Sequence, residues 1–137
     1  MSRERREAKG SPQASGEERG GEAPRLNMNW ETMPAERVAE GIARQMVVGE
    51  NLMICRLTIQ PHVVTAVHTH EHEQVTMVER GRVVYIIDGV ERVCSAGDVL
   101  HFPPHLPHGA TMLDEEVVLV DVFTPRREDC LAPKGSA

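Results

Sequence analysis

The stretch HTHEHEQVTMVERG, residues 68–81, places three histidines and a glutamine ahead of an alternating apolar run that ends in glycine. In an extended chain alternate side chains share one face, so His68, His70, His72 and Gln74 would point the same way. Two imidazoles two residues apart on a strand can bind one cation together, although exposed His-x-His pairs also occur without any function. The stretch is therefore either a metal site or a solvated polar face.

Apolar runs separated by glycine and proline continue on both sides of this stretch. They are rich in β-branched residues, which favour strands over helices. The pair Asp88-Gly89 lies between two such runs and is a strong hairpin signal. We expect about eight to ten short strands in an antiparallel sandwich or small barrel, with a short helix near residues 33–41 (MPAERVAEG) as the one helical candidate. The clearest runs are LMICRLTIQ (52–60), RVVYIID (82–88) and VVLVDVF (117–123).

Length and charge limit the classes of function. A chain of 137 residues is long enough for one domain with a single core. Residues 1–25 mix charges of both signs with Gly, Ser and Pro, so we expect a disordered tail, a folded body over residues 26–130 and a flexible C-terminus over residues 131–137. Six of the 15 basic and five of the 21 acidic residues lie in the tail, leaving a net charge of −7 on the remainder. An acidic body with four aromatic residues argues against nucleic-acid binding.

Membrane and cysteine signals both favour a cytoplasmic protein. No apolar run approaches the roughly 20 residues that cross a bilayer, and no secretory signal is present, so we expect no membrane partner. Cys55, Cys94 and Cys130 are odd in number, far apart and without CxxC spacing. We therefore expect free thiols in a reducing compartment, with Cys55 and Cys94 buried.

Residues further along the chain narrow the interpretation of the histidine stretch. Together with GDVLHFPPHLPH, residues 97–108, it resembles the two signature motifs of the cupin superfamily, in particular the small single-domain type-2 cupins. Those motifs are Gly, five residues, His-x-His, three or four residues, Glu, six residues and Gly, and then Gly, five residues, Pro, a short turn and His. The resemblance covers roughly residues 29–130 and implies an all-β, antiparallel double-stranded jelly-roll β-barrel. The matching positions are His68, His70, Gln74, Gly81, Gly97, Pro103 and His108.

The resemblance also implies a metal site. Its ligands would be His68, His70, Gln74 and His108, holding one divalent transition metal per chain, either zinc, nickel, manganese or iron. Gln74 stands where the family usually has an acid. An amide oxygen donates without neutralising charge, so a bound dication would be a stronger Lewis acid. In the alternative, Gln74 only forms hydrogen bonds and water completes the site.

A narrower likeness comes from HxHxHEQ, PPHLPH and the ending DVFTPRRED, residues 121–129. These resemble small cupins of the pectin-degradation type, in which a His and Gln metal site promotes ring opening and tautomerisation of 4,5-unsaturated uronates. The likeness makes Asp121 a candidate catalytic acid or base and Phe123 part of the pocket wall. Asp121 also interrupts an apolar run, and a buried carboxylate needs a partner or a function. The alternative is a structural carboxylate paired with Arg126 or another base.

Two further residues are assigned to the substrate pocket with alternatives open. His72 is either a pocket residue or solvated. Arg126 either binds a substrate carboxylate or anchors the chain end. His62, His101 and His105 are expected to face solvent.

Three functions remain open from the sequence. The first is a metal-dependent enzyme of non-redox carbonyl or enol chemistry, such as isomerisation, ring opening or cyclisation of a small molecule. The second is an iron-dependent dioxygenase, and the third is a non-catalytic small-molecule binding or sensing module. The resemblance also implies a homodimer.

Overall fold

The computed structural model describes residues 26–131, which form ten strands and two single-turn 3-10 helices. The predicted tail and nearly all of the predicted flexible end lie outside these residues. No helix in the described part of the chain is long and apolar enough to cross a membrane. The helices are Trp30–Thr32 and Glu128–Leu131, and the strands are β1 Glu36–Ala39, β2 Ile42–Val48, β3 Met53–Ile59, β4 Val64–His68, β5 Glu73–Arg80, β6 Arg82–Ile87, β7 Val90–Ser95, β8 Val99–Phe102, β9 His108–Met112 and β10 Val117–Thr124.

The strands form two antiparallel sheets. One sheet has six strands in the order β1-β2-β3-β10-β5-β8, and the other has four in the order β4-β9-β6-β7. Apolar side chains from both sheets meet in one buried cluster, which includes Ile59, Val78, Val83, Phe102 and Met112. Burying these inward faces is the main stabilising contribution, at about 25 cal/mol per Å² of apolar surface. The all-β antiparallel jelly-roll prediction is confirmed.

Tight turns occur where the sequence predicts them. Asp88 and Gly89 have φ of 51° and 84° between β6 and β7, the pair of positive values that a two-residue hairpin requires. Gly81, which ends the quoted stretch, has φ of 86°, and a Cβ there would lie 2.5 Å from the carbonyl oxygen of Glu116. A side chain at position 81 would therefore collide with backbone, which accounts for the glycine between β5 and β6.

The prediction of a short helix near residues 33–41 is wrong. Glu36–Ala39 form strand β1, which pairs with β2 through a turn at Gly41, where φ is 77°. As the edge strand of the sheet, this segment forms backbone hydrogen bonds with β2, and a single isolated helical turn would be only marginally stable.

The cysteines follow the prediction. Cys55 and Cys94 are buried free thiols, and Cys130 is a half-buried one. Burial raises the pKa of Cys55 to about 12, so this thiol is unreactive at neutral pH.

Candidate metal centre and substrate chamber

Strand pairing brings the chemistry-bearing residues together. The β4–β9 pairing sets His68 directly opposite His108. The β5–β10 pairing sets Gln74 opposite Phe123, and Thr76 opposite Asp121. Residues distant in sequence therefore meet at one end of the barrel.

Three histidines form a convergent cluster. The ring nitrogens of His68, His70 and His108 that could bind a metal lie within 4.8 Å of one another. Each Nδ1 atom faces a backbone carbonyl oxygen, which can only accept a hydrogen bond. In all three rings the tautomer protonated at Nδ1 satisfies this carbonyl and leaves the Nε2 lone pair for a metal. The acceptors are the carbonyl oxygens of Ala66 at 3.1 Å, His72 at 3.0 Å and Leu106 at 2.8 Å.

Burial favours the neutral form of His70 and His108. It lowers the pKa of His70 and His108 below the ordinary value of 6.5, and the nearby Arg127 charge adds to the effect. The His108 ring also stacks on Phe102, with centroids 4.4 Å apart and planes 17° apart. Because Phe102 is fully buried, this stacking fixes the orientation of the His108 ring.

Gln74 completes a donor set that fits a divalent metal. Its Oε1 lies 3.0 Å from Nε2 of His70, while its Nε2 donates to the Thr76 hydroxyl at 2.8 Å. With His70 protonated at Nδ1, the two facing atoms are both lone-pair acceptors, and a cation between them would satisfy both. Ligands bound at about 2.1 Å in perpendicular directions lie about 3 Å apart, so the observed spacing suits a shared metal.

Asp121 is a buried carboxylate beside this cluster. Burial raises its pKa from 3.8 to about 6, against the opposing effects of the Thr76 hydroxyl, which donates to Oδ1 at 2.6 Å, and of the Arg127 charge. Arg126 does not pair with it and instead donates to the Gly49 carbonyl and to Glu128. A carboxyl group with a pKa near neutrality can both take up and release a proton at physiological pH.

A chamber of about 250 Å³ opens beside these residues. That volume equals roughly eight water molecules at about 30 Å³ each, which suits a small metabolite rather than a polymer. Apolar side chains such as Ile42, Leu57 and Leu119 form most of its wall. The polar side chains that line it are Arg44, Thr65, His68, Gln74, Tyr85, His108, Asp121 and Arg127.

Comparison with known proteins identifies the fold family. Residues 55–123 match the family described as "Cupin domain". The chain belongs to the cupin family. Pectin degradation protein KdgF of Dickeya dadantii (strain 3937) is 30% identical over 100 residues, which are 72% of this chain and 91% of the relative. The cupin resemblance predicted from the sequence, including its likeness to the pectin-degradation type, is confirmed.

Two solved cupin structures are similar over nearly their whole length. An RmlC-like cupin from Shewanella frigidimarina NCIMB 400 is 33% identical with a TM-score of 0.73, covering 78% of this chain and 96% of that one. KdgF from Halomonas sp. is 30% identical with a TM-score of 0.72, covering 79% of this chain and 99% of that one.

The residues predicted for the site line two adjacent cavities of this cupin. His68, Gln74, His108, Asp121 and Phe123 line the chamber. The other predicted residues, His70, His72 and Arg126, line a neighbouring cleft.

The exposed histidines are as expected. His62, His101 and His105 face solvent, and His101 Nε2 lies 2.6 Å from a carboxylate oxygen of Glu73. These three side chains are therefore outside the chamber.

Arg127 and Thr76 are among the polar residues of the chamber region that were not predicted from the sequence. Arg127 lines the chamber, with its guanidinium carbon 5.0 Å from the centre of the Phe123 ring. Its position lies beyond the end of β10 at Thr124, where strand alternation no longer indicates which side chain faces inward, so no strand pattern distinguishes it from Arg126. Thr76 is fully buried between Gln74 and Asp121, and no local sequence pattern marks it.

Proposed function

We propose that this cupin binds one divalent transition metal through His68, His70, Gln74 and His108. We propose further that it is an enzyme of non-redox carbonyl or enol chemistry on a small carboxylated molecule. Ring opening and tautomerisation of an unsaturated uronate is the reaction class we favour. The observation that carries the proposal is the set of three Nδ1-to-carbonyl hydrogen bonds, which leaves three Nε2 lone pairs convergent beside a buried carboxylate.

The residues divide the chemistry between them. A bound divalent metal supplies a Lewis acid that polarises a carbonyl or enol oxygen. Asp121 moves the proton, since its pKa of about 6 lets the carboxylate take a proton from carbon or oxygen and return it at neutral pH. The apolar wall around it excludes water, which limits competing proton exchange.

Arg127 is the residue to which we assign recognition of the substrate carboxylate. Among the described residues, Asp129 accepts hydrogen bonds from its Nε at 3.2 Å and from Nη2 at 2.6 Å. Asp129 thereby holds the guanidinium in place against the Phe123 ring. This leaves Nη1 as the donor for a ligand, because a guanidinium has five N–H groups in a fixed plane.

The relatives support the choice of substrate class. The Dickeya dadantii relative is named a pectin degradation protein, and the Halomonas structure is named KdgF. A chamber that combines an arginine, a carboxylate and a metal-ligand set is chemically suited to an acidic sugar derivative of the kind that pectin breakdown produces.

A homodimer is also part of the proposal. Val90 and Val93 on β7 and Val99 on β8 are 54%, 65% and 65% exposed, and these strands are edges of the two sheets. Edge strands with exposed apolar side chains are commonly covered by a partner. Light scattering on the full chain gives the mass that tests this, while fractionation of cells tests the cytoplasmic location.

Elemental analysis of the purified protein is the first experiment. We expect about one zinc, nickel or manganese per chain in the wild type, none in His108→Ala and an unchanged amount in His101→Ala, whose exposed imidazole is the matched control. The loaded wild type should then consume a 4,5-unsaturated uronate without taking up oxygen. Iron with oxygen uptake would establish a dioxygenase instead, and tight binding of the uronate with unchanged recovery would establish a binding module.

A further inference from the structure

A short buried chain of hydrogen bonds links the proposed metal ligand to the proposed proton-transfer group. Gln74 Nε2 donates to Thr76 Oγ1 at 2.8 Å, and Thr76 Oγ1 donates to Asp121 Oδ1 at 2.6 Å. The three residues are 5%, 0% and 7% exposed, so water does not compete for these bonds.

The direction of these hydrogen bonds follows from which groups can donate and which can accept. A carboxylate only accepts hydrogen bonds, and a threonine hydroxyl has a single proton to donate. When that proton goes to Asp121, the Thr76 oxygen can only accept, so it must face the amide nitrogen of Gln74. The amide oxygen is then turned the other way, toward Nε2 of His70 at 3.0 Å.

Strand geometry holds the three hydrogen-bonded residues in place. Gln74 and Thr76 lie two residues apart on β5 and therefore share one face of the sheet. The β5–β10 register sets Thr76 directly opposite Asp121. Backbone pairing thus fixes the position of the hydroxyl independently of any bound metal.

We propose that Thr76 is a positioning residue whose hydroxyl determines which end of the Gln74 amide faces the histidines. This inference rests on the proposed metal site. In the absence of the hydroxyl, the amide can turn by 180° and present its NH₂ group to the lone pair of His70. An NH₂ group binds no cation, so the site would lose its oxygen ligand.

The same hydrogen bonds account for glutamine at position 74, where the cupin motif usually has an acid. A carboxylate at position 74 would have no proton to donate to Thr76. Two carboxylates, at 74 and 121, would then compete for one hydroxyl proton in a buried space. The Thr76–Asp121 pair is therefore matched to an amide at position 74.

Titration of the metal-free full chain with Co²⁺ tests the proposal without any substrate. Thr76→Val keeps the shape of the side chain but removes the hydroxyl, and we expect its Co²⁺ dissociation constant to rise about 10- to 100-fold, the usual effect of losing a partner that orients a ligand. The visible absorption of bound Co²⁺ should change because an oxygen donor is lost. Thr76→Ser restores the hydroxyl and should restore both the affinity and the spectrum.

Thr58→Val is the matched control, since Thr58 lies on β3 of the same sheet and does not line the chamber. Its affinity and spectrum should equal those of the wild type. A Thr76→Val protein with wild-type affinity and spectrum would overturn the role of Thr76. A wild type that binds no Co²⁺ would instead overturn the proposed metal site. If thermal unfolding shows that Thr76→Val does not fold, Thr76→Ala carries the same expectations, because it removes the hydroxyl without adding a methyl group.

Discussion

Replacing Asp121 with asparagine should stabilise the metal-free protein at neutral pH. The buried carboxyl has a pKa of about 6 in the folded chain against 3.8 for an exposed aspartate. The difference corresponds to about 3 kcal/mol at 1.36 kcal/mol per pH unit, the cost of ionising the group inside the fold. Asn keeps an acceptor for the Thr76 hydroxyl but adds an N–H that must find a partner, at a cost of about 1–2 kcal/mol. We therefore expect Asp121→Asn to raise the free energy of unfolding at pH 7 by about 1–2 kcal/mol.

The sign of the pH dependence follows from the raised pKa. Between about pH 4 and pH 6 the folded protein binds more protons at Asp121 than the unfolded chain does, so the free energy of unfolding falls as pH rises through this window. Above about pH 6 both states are ionised at this residue and its contribution is constant. The Asp121→Asn variant should lack this fall.

Urea unfolding with a chelator at pH 4 and pH 7 measures both effects. Asp114→Asn is the control, since the Asp114 side chain is 87% exposed and should change stability by less than about 0.5 kcal/mol. An Asp121→Asn variant less stable than the wild type at pH 7 would refute the reasoning and favour a purely structural carboxylate. A more stable variant that has lost turnover would mean that Asp121 is kept for function at the expense of stability.

Three further outcomes are expected. Arg127→Met should raise the KM for an unsaturated uronate at least about tenfold, whereas Arg126→Met should change it less than about threefold, in steady-state kinetics. Because the pKa values of His70 and His108 lie below the ordinary 6.5 and only neutral imidazole binds metal, these two ligands should not weaken Co²⁺ binding between pH 8 and pH 7, and a steep loss of affinity in that range would contradict the lowered pKa values. Phe102→Ala should cost about 3–5 kcal/mol of stability in urea unfolding and weaken Co²⁺ binding, because Phe102 is fully buried and stacks on His108.

Local patterns in the sequence are enough to predict most of the strands, whereas the proposed ligand set follows from the resemblance to the cupin motifs. The Asp88-Gly89 turn requires positive φ at both residues, and this preference belongs to the pair itself. The His68-x-His70 spacing is likewise visible in the sequence. The expectation that His68, His70, His72 and Gln74 share one strand face is wrong, because His68 ends β4 in one sheet and Gln74 lies on β5 in the other.

Features that depend on pairing between distant segments cannot be predicted from local sequence patterns. Nothing local places Thr76 opposite Asp121, because that register is set by the packing of β5 against β10. For a related reason, the sequence does not indicate whether Arg126 or Arg127 faces the chamber. The chain leaves β10 at Thr124, beyond which strand alternation no longer specifies which side chain faces inward.

The proposed site gives metal binding to Gln74 and proton transfer to Asp121, two tasks that a single carboxylate could not perform together. A carboxylate bound to a metal has its lone pairs engaged and its pKa depressed, so it makes a poor base. With the Gln74 amide as the proposed ligand, a bound dication would keep its full charge and the nearby Asp121 would keep a free carboxylate. The Thr76 hydroxyl connects the two by hydrogen bonds that hold both groups in place without placing charge on the ligand. Exchanging the two functional groups, with Gln74→Glu and Asp121→Asn in one chain, should therefore retain metal but abolish proton transfer.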